Sequence, residues 1–329
     1  MSDLIVGTSD YRFRWIENWA RIPDTRSGRE NGRTHGVVVS SAGDVLVFSQ
    51  ANPAVLVFSS DGEMKSSWGD RFLGAHGMTL VQEGEDEFLW LTDQDTGEVV
   101  KTTLDGRTVM NLEKADHPIY GDRKYIPTWV AVNEERFGGN GDIWVADGYG
   151  SFHVHRYDRR GRYLDSINGE EGKAGAFDCP HGLWTDVRRK KREDRMVEDP
   201  NDHIESPELF IADRGNRRIQ VYSMDGKYKR HFGTTFFSSP DGAYAYRRGG
   251  LIVPELFARI TILDEDDDLV CHLGANPEAL KKEGWPNLPE EHIQPGFFNS
   301  PHAAAADDRG NIYVVEWIIG GRITKLEAV

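Results

Sequence analysis

A short motif that recurs six times along the chain constrains the fold more than any other feature. Three copies read histidine-glycine and one reads histidine-alanine, whereas two carry threonine or aspartate in the histidine position. Each copy precedes a short apolar strand, a G/D-x-[IL]-[YWF]-[VI]-x-[DE] segment and a strand ending in a D-G turn, and some copies are looser. Self-similarity with a period of about 40 to 60 residues is typical of propeller blades. The six ring positions, as we call them, are His35, His76, Thr128, His181, Asp241 and His302.

The repeat predicts an all-β fold, a six-bladed β-propeller that forms a single domain over residues 1–329. Residues 11–22 are rich in aromatic and β-branched side chains but follow no ring position, so they resemble the outermost strand of a blade. The C-terminal segment supplies inner strands without an outer one. We therefore expect the N-terminal strand to close the last blade, which removes two exposed sheet edges. The six ring positions then face one another around an axis.

Two stretches interrupt the repeat. Residues 188–206 are highly charged and fall between the first two strands of blade four, and residues 273–296 join blades five and six. Both are predicted to be surface loops. Loops on a rigid ring can shape a substrate mouth, although solvated decoration is the alternative for the charged stretch. The best helical candidate, residues 277–282, is long enough for one short turn only.

Composition excludes several classes of function. The net charge of −15 argues against a general surface for nucleic acid or anionic membrane, because both need positive charge. Two cysteines, Cys179 and Cys271, do not make a disulfide scaffold. Neither a signal-peptide pattern nor an apolar run of membrane-spanning length is evident. The sequence predicts a cytoplasmic protein with a small-molecule substrate, and it leaves the oligomeric state open.

Several motifs carry a resemblance to a known family. The unit ADRGNRRIQVYSMDGKY at 212–228 resembles an NHL repeat. The whole set resembles the lyase part of the peptidylglycine α-amidating enzyme, a six-bladed NHL propeller, over nearly all of the chain. The most specific segments are FLGAHGM at 72–78, VADGY at 145–149, CPHGL at 179–183, ADRGNRRIQ at 212–220 and FNSPH at 298–302.

This resemblance implies a metal site and a catalytic pair. In the family, three ring histidines hold a zinc ion on the propeller axis, and they correspond here to His76, His181 and His302. The family's catalytic tyrosine lies in a D-G-Y motif and corresponds to Tyr149. One of two functional arginines follows the aspartate of A-D-R and corresponds to Arg214.

The chain departs from the family pattern at three positions. The second functional arginine of the family corresponds to Gln50, and an acidic calcium ligand corresponds to Ala303. His35 stands where the family has a small residue. The metal site is therefore expected to persist while half of the substrate clamp changes. A structural calcium ion is in doubt, and the substrate is expected to differ.

The histidines support a metal site on residue chemistry as well. One buried histidine is more often a structural polar residue than a ligand, but four in the same repeat position point to convergence on one place. Neutral imidazoles favour a transition metal over magnesium or calcium. We expect zinc first, with iron, manganese or copper as alternatives. His35 is predicted as a fourth ligand, and a base or a substrate contact are its other interpretations.

Each remaining candidate has a structural alternative. Tyr149 is predicted to act as a general base whose pKa a cation and Arg214 would lower, and packing is the alternative. Arg214 is predicted to hold a substrate oxyanion, as against an ion pair between blades. Asp241, Gln50 and Glu316 are predicted to contact substrate. For Asp241 the alternatives are orientation of a histidine, ligation of the metal and capping of a strand start. For Glu316 the alternative is packing at the rim.

The resulting hypothesis is a metal-dependent lyase, or a related hydro-lyase or hydrolase, that acts on a small polar hydroxylated substrate at the axis. A non-catalytic NHL propeller that binds a ligand or a protein is the first alternative. A sugar-lactone hydrolase ranks lower, because a calcium site of that kind needs carboxylate and amide ligands rather than histidines.

Overall fold

The computed structural model describes residues 4–8, 10–188, 207–246 and 249–329. It contains six antiparallel sheets, five with four strands and one with five. In each four-stranded sheet every strand pairs with the next one along the chain, as the blade of a propeller requires. The prediction of an all-β, six-bladed propeller is confirmed.

The first three blades follow one another without interruption. Blade one holds β3 (Thr34–Val39), β4 (Val45–Ser49), β5 (Val55–Phe58) and β6 (Met64–Trp68). Blade two holds β7 (Ala75–Glu83), β8 (Asp86–Asp93), β9 (Val99–Thr103) and β10 (Thr108–Asn111). Blade three holds β11 (Trp129–Val132), β12 (Ile143–Asp147), β13 (His153–Tyr157) and β14 (Tyr163–Ile167).

The next two blades differ in regularity. Blade four holds β15 (Pro180–Asp186), β16 (Glu208–Asp213), β17 (Arg218–Ser223) and β18 (Tyr228–Phe232). Blade five holds β19 (Tyr244–Ala245), β20 (Leu251–Glu255), β21 (Arg259–Leu263) and β22 (Leu269–Leu273). Its first strand has only two residues, and an isolated bridge between Pro240 and Glu255 extends the pairing towards the axis.

Both ends of the chain build blade six. In spatial order it holds β23 (Pro301–Ala306), β24 (Ile312–Glu316), β25 (Arg322–Ala328), β2 (Tyr11–Ala20) and β1 (Ile5–Thr8). The antiparallel pairing of β2 with β25 confirms that an N-terminal strand closes the last blade. The outermost strand, β1, was not predicted, and it pairs with β2 as a hairpin.

Burial changes along each blade from the axis outward. Every residue of β4, β16 and β20 is buried, because both faces of these strands pack on neighbouring blades. By contrast, four of the five residues of the outer strand β6 are exposed. Strands buried on both faces are expected to read as continuous apolar runs, which is the pattern of the second strands.

Helices are few and short in the described part of the chain. They are α1 (Arg26–Glu30) and 3-10 turns at Pro118–Gly121, Glu135–Phe137, Ala279–Lys281 and Glu290–His292. The turn at Ala279–Lys281 lies within the predicted helical candidate. Leu273 ends β22, and residues 274–296 contain a second turn at Glu290–His292 and no strand. Residues 189–206 of the predicted charged insert lie outside the described residues. No helix among the described residues is long and apolar enough to cross a membrane.

Candidate metal centre

A β-bulge places each ring histidine. The strand register shifts at the start of the innermost strand in blades one, two, four and six, at the point where the histidine lies. A bulge interrupts the ladder and re-aims a side chain. In the four blades this turns the imidazole away from the sheet and towards the axis. The axial ring, as we call this group, consists of His35, His76, His181 and His302.

The glycine after the histidine is needed because the next blade approaches closely. A Cβ on Gly77 would collide with the carbonyl oxygen of Thr128, and one on Gly182 would collide with that of Asp241. Thr128 and Asp241 occupy the next ring positions. The histidine-glycine dipeptide therefore lets the backbone of one ring position rest on that of its neighbour.

That neighbouring carbonyl also fixes the histidine tautomer. His76 Nδ1 lies 2.8 Å from the Thr128 oxygen, and His181 Nδ1 lies 2.9 Å from the Asp241 oxygen. His302 repeats the contact, with Nδ1 2.8 Å from the oxygen of His35. A carbonyl only accepts, so each Nδ1 carries the proton and each Nε2 keeps its lone pair. Such outer contacts orient metal-ligating histidines in proteins.

The four imidazoles converge on one small volume. The ring centroids of His76, His181 and His302 are 4.8 to 4.9 Å apart, and the ring of His35 lies 4.4 Å from that of His302 and 4.9 Å from that of His76. The ligand atoms of His35, His76 and His302 all lie within 4.8 Å of one another. These three buried histidines can hold a metal ion.

The electrostatics keep the histidines neutral, which is the form that binds metal. Burial, with a contribution from Arg214, lowers the pKa of His76 to about 3, although the Thr128 carbonyl opposes the shift. Burial also holds the pKa values of His35, His181 and His302 well below the ordinary value. His302 Nε2 is buried without a hydrogen-bond partner among the described residues. An orphaned lone pair among neutral imidazoles fits a transition-metal cation.

Tyr149 lies directly beside the axial ring. Its Oη is 3.2 Å from His76 Nε2 and 2.9 Å from His181 Nε2. Arg214 Nη2 donates to the same oxygen at 3.2 Å, and its guanidinium lies 5.3 Å from the centre of the Tyr149 ring. Burial raises the pKa of Tyr149 to about 12, and Arg214 opposes that shift without overcoming it. Arg214 thus acts in the expected direction, but the net shift is upward.

Asp241 links the arginine to a ring histidine. Its Oδ1 accepts from Arg214 Nη1 at 2.9 Å and lies 3.4 Å from His181 Nδ1. Its Oδ2 is buried with no partner among the described residues. Burial raises the pKa of Asp241 to about 7, although Arg214 pulls it downward. The charge of Arg214 therefore already has a counter-ion inside the site.

Glu316 has structural partners. Its Oε1 accepts from the backbone amides of Asn299 and Ser300 at 2.6 and 2.9 Å, and its Oε2 accepts from Arg322 at 3.0 Å. The carboxylate at the end of the second strand does the same in four other blades, where it accepts from the loop before the first strand. These carboxylates are Asp93, Asp147, Asp213 and Glu255. The recurring acidic residue of the motif therefore anchors loops, and the contacts of Glu316 favour that role over substrate binding.

Gln50 directly follows β4, whose last residue, Ser49, pairs with Thr34 beside His35. Its amide donates to the carbonyl of Arg33, and its carbonyl accepts from Gly32. The side chain is buried. These contacts pack Gln50 against the loop before β3, and its predicted contact with substrate stays a prediction.

Sequence reasoning missed two residues near the ring. Cys179 Sγ accepts a hydrogen bond from Arg214 Nη2 at 3.4 Å. Burial is the main cause of the lowered pKa of His35, the imidazoles of His302 and His76 add to it, and the positive charge of Arg33 makes a further, smaller contribution. Cys179 and Arg33 both lie two residues before a ring histidine. This spacing is the sequence signal that could have found them, since each residue lies on the loop that leads into the innermost strand of its blade.

Comparison with known proteins gives relatives but no matching family model. The chain is 29% identical over 281 residues to a peptidyl-alpha-hydroxyglycine alpha-amidating lyase of Drosophila melanogaster, a match that covers 78% of this chain and 45% of the relative. It is 26% identical over 225 residues to a probable lyase of the same name from Caenorhabditis elegans, covering 59% and 57%. The human NHL repeat-containing protein 3 is 24% identical over 284 residues, covering 78% and 71%.

These matches confirm the resemblance to amidating lyases and NHL-repeat proteins. The chain spans about half the length of the two lyases. Among solved structures, a gluconolactonase of Xanthomonas campestris superposes with a TM-score of 0.62 at 12% identity, covering 100% of this chain and 96% of that one. A virginiamycin B lyase of Staphylococcus aureus gives 0.56 at 13% identity, covering 96% and 100%. At such identities the structural likeness supports the propeller fold alone.

Proposed function

We propose that this propeller is a metal-dependent lyase that acts on a small, polar, hydroxylated substrate at the axial ring. One observation carries the proposal. Three histidines from alternate blades each commit Nδ1 to a backbone carbonyl and turn Nε2 into the ring, where Nε2 of His76 and of His181 meets Tyr149 Oη and that of His302 has no partner among the described residues. The lyase class is supported by the sequence relatives, whose names describe action on peptidyl-α-hydroxyglycine.

The donor set suits zinc first and iron, manganese or copper as alternatives. His76, His181 and His302 would hold the ion, and His35 is the candidate for a fourth position because its ring lies 4.4 Å from that of His302. Three histidines with an open position are typical of catalytic zinc. When bound, the metal supplies Lewis-acid polarisation of a substrate oxygen.

Tyr149 would exchange the proton of the substrate hydroxyl. Its Oη lies within hydrogen-bonding distance of two imidazoles and one guanidinium, so a substrate oxygen that enters the ring meets it directly. In the lyase step, the deprotonated form of Tyr149 would accept the hydroxyl proton, the C–O bond would become a carbonyl and the bond from that carbon to the leaving group would break. Tyr149 would then return the proton to the leaving group. Arg214 favours the deprotonated tyrosine, and Asp241 holds Arg214 in place.

Elemental analysis and a turnover assay test the proposal together. Protein purified without added metal is expected to contain about one transition-metal ion per chain and to cleave a peptidyl-α-hydroxyglycine or a related hydroxylated amide. Tyr149→Phe should retain the metal and lower turnover by about 10²- to 10⁴-fold, the usual contribution of general acid–base catalysis.

Tyr228→Phe is the matched control, since among the described residues the Tyr228 hydroxyl has one hydrogen-bond partner, the exposed His231. Full turnover in Tyr149→Phe would reject the catalytic role of Tyr149. Protein that is purified metal-free and fails to take up a stoichiometric ion would reject the metal-dependent reaction.

A non-catalytic binding propeller is the second candidate. It is favoured by the match to the human NHL repeat-containing protein 3, which covers a larger share of that relative than the lyase matches do of theirs. This candidate predicts no stoichiometric metal and no effect of Tyr149→Phe. A lactonase is not favoured by the site, because imidazoles stand where a calcium centre needs oxygen ligands.

A further inference from the structure

One bulky side chain stands where the other blades have a very small one. The residue directly after the ring position is glycine or alanine in five blades, and in blade three it is Trp129. The five small residues are Gly36, Gly77, Gly182, Gly242 and Ala303. All six positions lie where the blades meet around the central channel of a propeller. Five small residues leave room on the axis, and a single indole can fill it.

Ring distances place that indole on the axis. The Trp129 ring centroid lies 6.3 Å from that of His76 and 6.5 Å from that of His181. It lies 6.4 Å from that of His302. The three imidazole centroids are 4.8 to 4.9 Å apart and form a nearly equilateral triangle. A point equally far from three corners lies on the perpendicular through the centre of the triangle, so Trp129 lies above or below the middle of the three histidines.

Strand direction shows on which side of the histidines the indole lies. Trp129 begins β11, which runs away from the ring position, whereas Tyr149 follows the end of the antiparallel β12. The Trp129 ring also lies 6.3 Å from that of Tyr244, which is three residues beyond the ring position Asp241. We call the Tyr149 side of the ring the mouth and the opposite side the far end. Trp129 lies on the far-end side.

The indole separates the axial ring from a cavity behind it. Trp129 is 2% exposed and belongs to the same buried apolar cluster as Ala131 and Leu183. A cavity of about 250 Å³ at the far end of blades two, three and four is lined by Thr79, Ala131 and Leu183 among others, and its described lining includes no ring position. Ala131 faces the same side of β11 as Trp129, because side chains alternate along a strand. The cavity therefore lies behind the indole and does not reach the histidines.

We propose that Trp129 closes the central channel beneath the axial ring, so that metal and substrate reach the histidines from the mouth alone. Closure of the channel rests on the packing of Trp129, whereas its effect on a metal ion rests on the proposed function. The indole nitrogen only donates, so Trp129 is not a ligand. It is a positioning residue that excludes water from one face of the site and leaves the open position of the ion beside Tyr149.

Indole and the variant Trp129→Ala test the closure in metal-free protein. Alanine is the residue of blade six at this position, so the variant should open a channel along the axis. Because an apolar cavity of roughly 150 Å³ binds an aromatic ring, the variant is expected to bind one indole per chain in calorimetric titration. Its free energy of unfolding in urea should rise as indole is added. Wild-type protein should show neither effect.

Cobalt(II) tests the effect on the ion, since its visible absorption weakens as its coordination number rises. Cobalt-loaded Trp129→Ala should lose at least about half of the wild-type absorption, because water reaches the far face and expands the coordination. Indole should restore the absorption. Trp90→Ala is the matched control, since Trp90 is also 2% exposed but packs between blades two and three. It should keep the wild-type spectrum with and without indole.

The outcomes separate this inference from the lyase proposal. Folded Trp129→Ala that binds no indole overturns the closure. Indole binding with an unchanged cobalt spectrum, or with a weakened spectrum that indole does not restore, overturns the positioning role. If the variant does not fold, refolding in the presence of indole decides, and failure to recover folded protein overturns the inference. If wild-type protein takes up no cobalt, the metal-dependent lyase fails, and the indole titration still decides whether Trp129 closes the channel.

Discussion

Two groups of histidines in this propeller bring imidazoles close together but differ in chemistry. The axial ring brings imidazoles from four blades to centroid distances of 4.4 to 4.9 Å. The blade-three cluster, formed by His117, His153 and His155, has centroid distances of 5.1 to 6.3 Å. Burial lowers the pKa of His76 and that of His155 to about 3 alike.

The groups differ in what remains for a ligand. His155 uses both nitrogens, since Nε2 lies 2.6 Å from Tyr120 Oη and Nδ1 lies 2.7 Å from Ser166 Oγ. Tyr120 in turn donates to Asp147 at 2.7 Å, and Asp147 accepts from the amide of Ser151. Three axial histidines place Nδ1 against a backbone carbonyl and turn Nε2 into the ring, where His76 and His181 face Tyr149 Oη and His302 has no partner among the described residues. A lowered pKa therefore marks burial in both places, and the convergence of Nε2 atoms from separate blades distinguishes the candidate metal site.

The largest predicted difference between the groups is in metal content. The double variant His76→Ala, His302→Ala is expected to fall from about one ion per chain to less than about a tenth, because two ligands and their anchored orientation are lost. The matched double variant His117→Ala, His153→Ala should keep its metal. Elemental analysis of folded protein checks both. Metal retained in the ring variant and lost in the blade-three variant would reverse the assignment.

A smaller difference is expected in stability. His155→Leu should lower the free energy of unfolding by about 2 to 4 kcal/mol, because the partly buried hydroxyls of Tyr120 and Ser166 each lose a partner. The metal content should not change. Urea unfolding of the metal-free protein gives the measurement, and His153→Ala, whose ring has one contact to a backbone carbonyl, is the control. An unchanged unfolding midpoint in His155→Leu would show that the hydrogen bonds from His155 through Tyr120 to Asp147 do not stabilise the fold.

The same contrast shows what the sequence can predict. The repeat predicts the six blades, the closure by residues 11–22 and the convergence of the ring positions, because periodicity and strand pairing are local signals. It does not predict β1, whose short segment has no repeat to match. It does not decide the role of Glu316, since an acidic residue at a strand end looks the same in sequence whether it faces substrate or two backbone amides.

The finer geometry of the site depends on contacts between blades. The carbonyl of Thr128 accepts from His76 across 52 residues of sequence, and that of His35 accepts from His302 across 267. Such contacts fix the tautomers and leave no trace in the spacing of either partner.

The smallest predicted effect concerns pH and is expected to be equal in the two groups. A histidine whose folded-state pKa is about 3 stays neutral in the folded protein, whereas the same histidine in the unfolded chain is protonated below about pH 6.5. The free energy of unfolding therefore falls as the pH falls from about 6.5 to about 3. Each such histidine contributes about 1.4 kcal/mol per pH unit within this window. Urea unfolding of metal-free protein at several pH values between 5 and 7 should show a slope reduced by that amount in His155→Leu and by a similar amount in His76→Leu. A slope that changes in only one variant would mean that His76 and His155 differ in protonation as well as in the partners of their ring nitrogens. Titration alone would then distinguish the candidate metal ligand His76 from the structural residue His155.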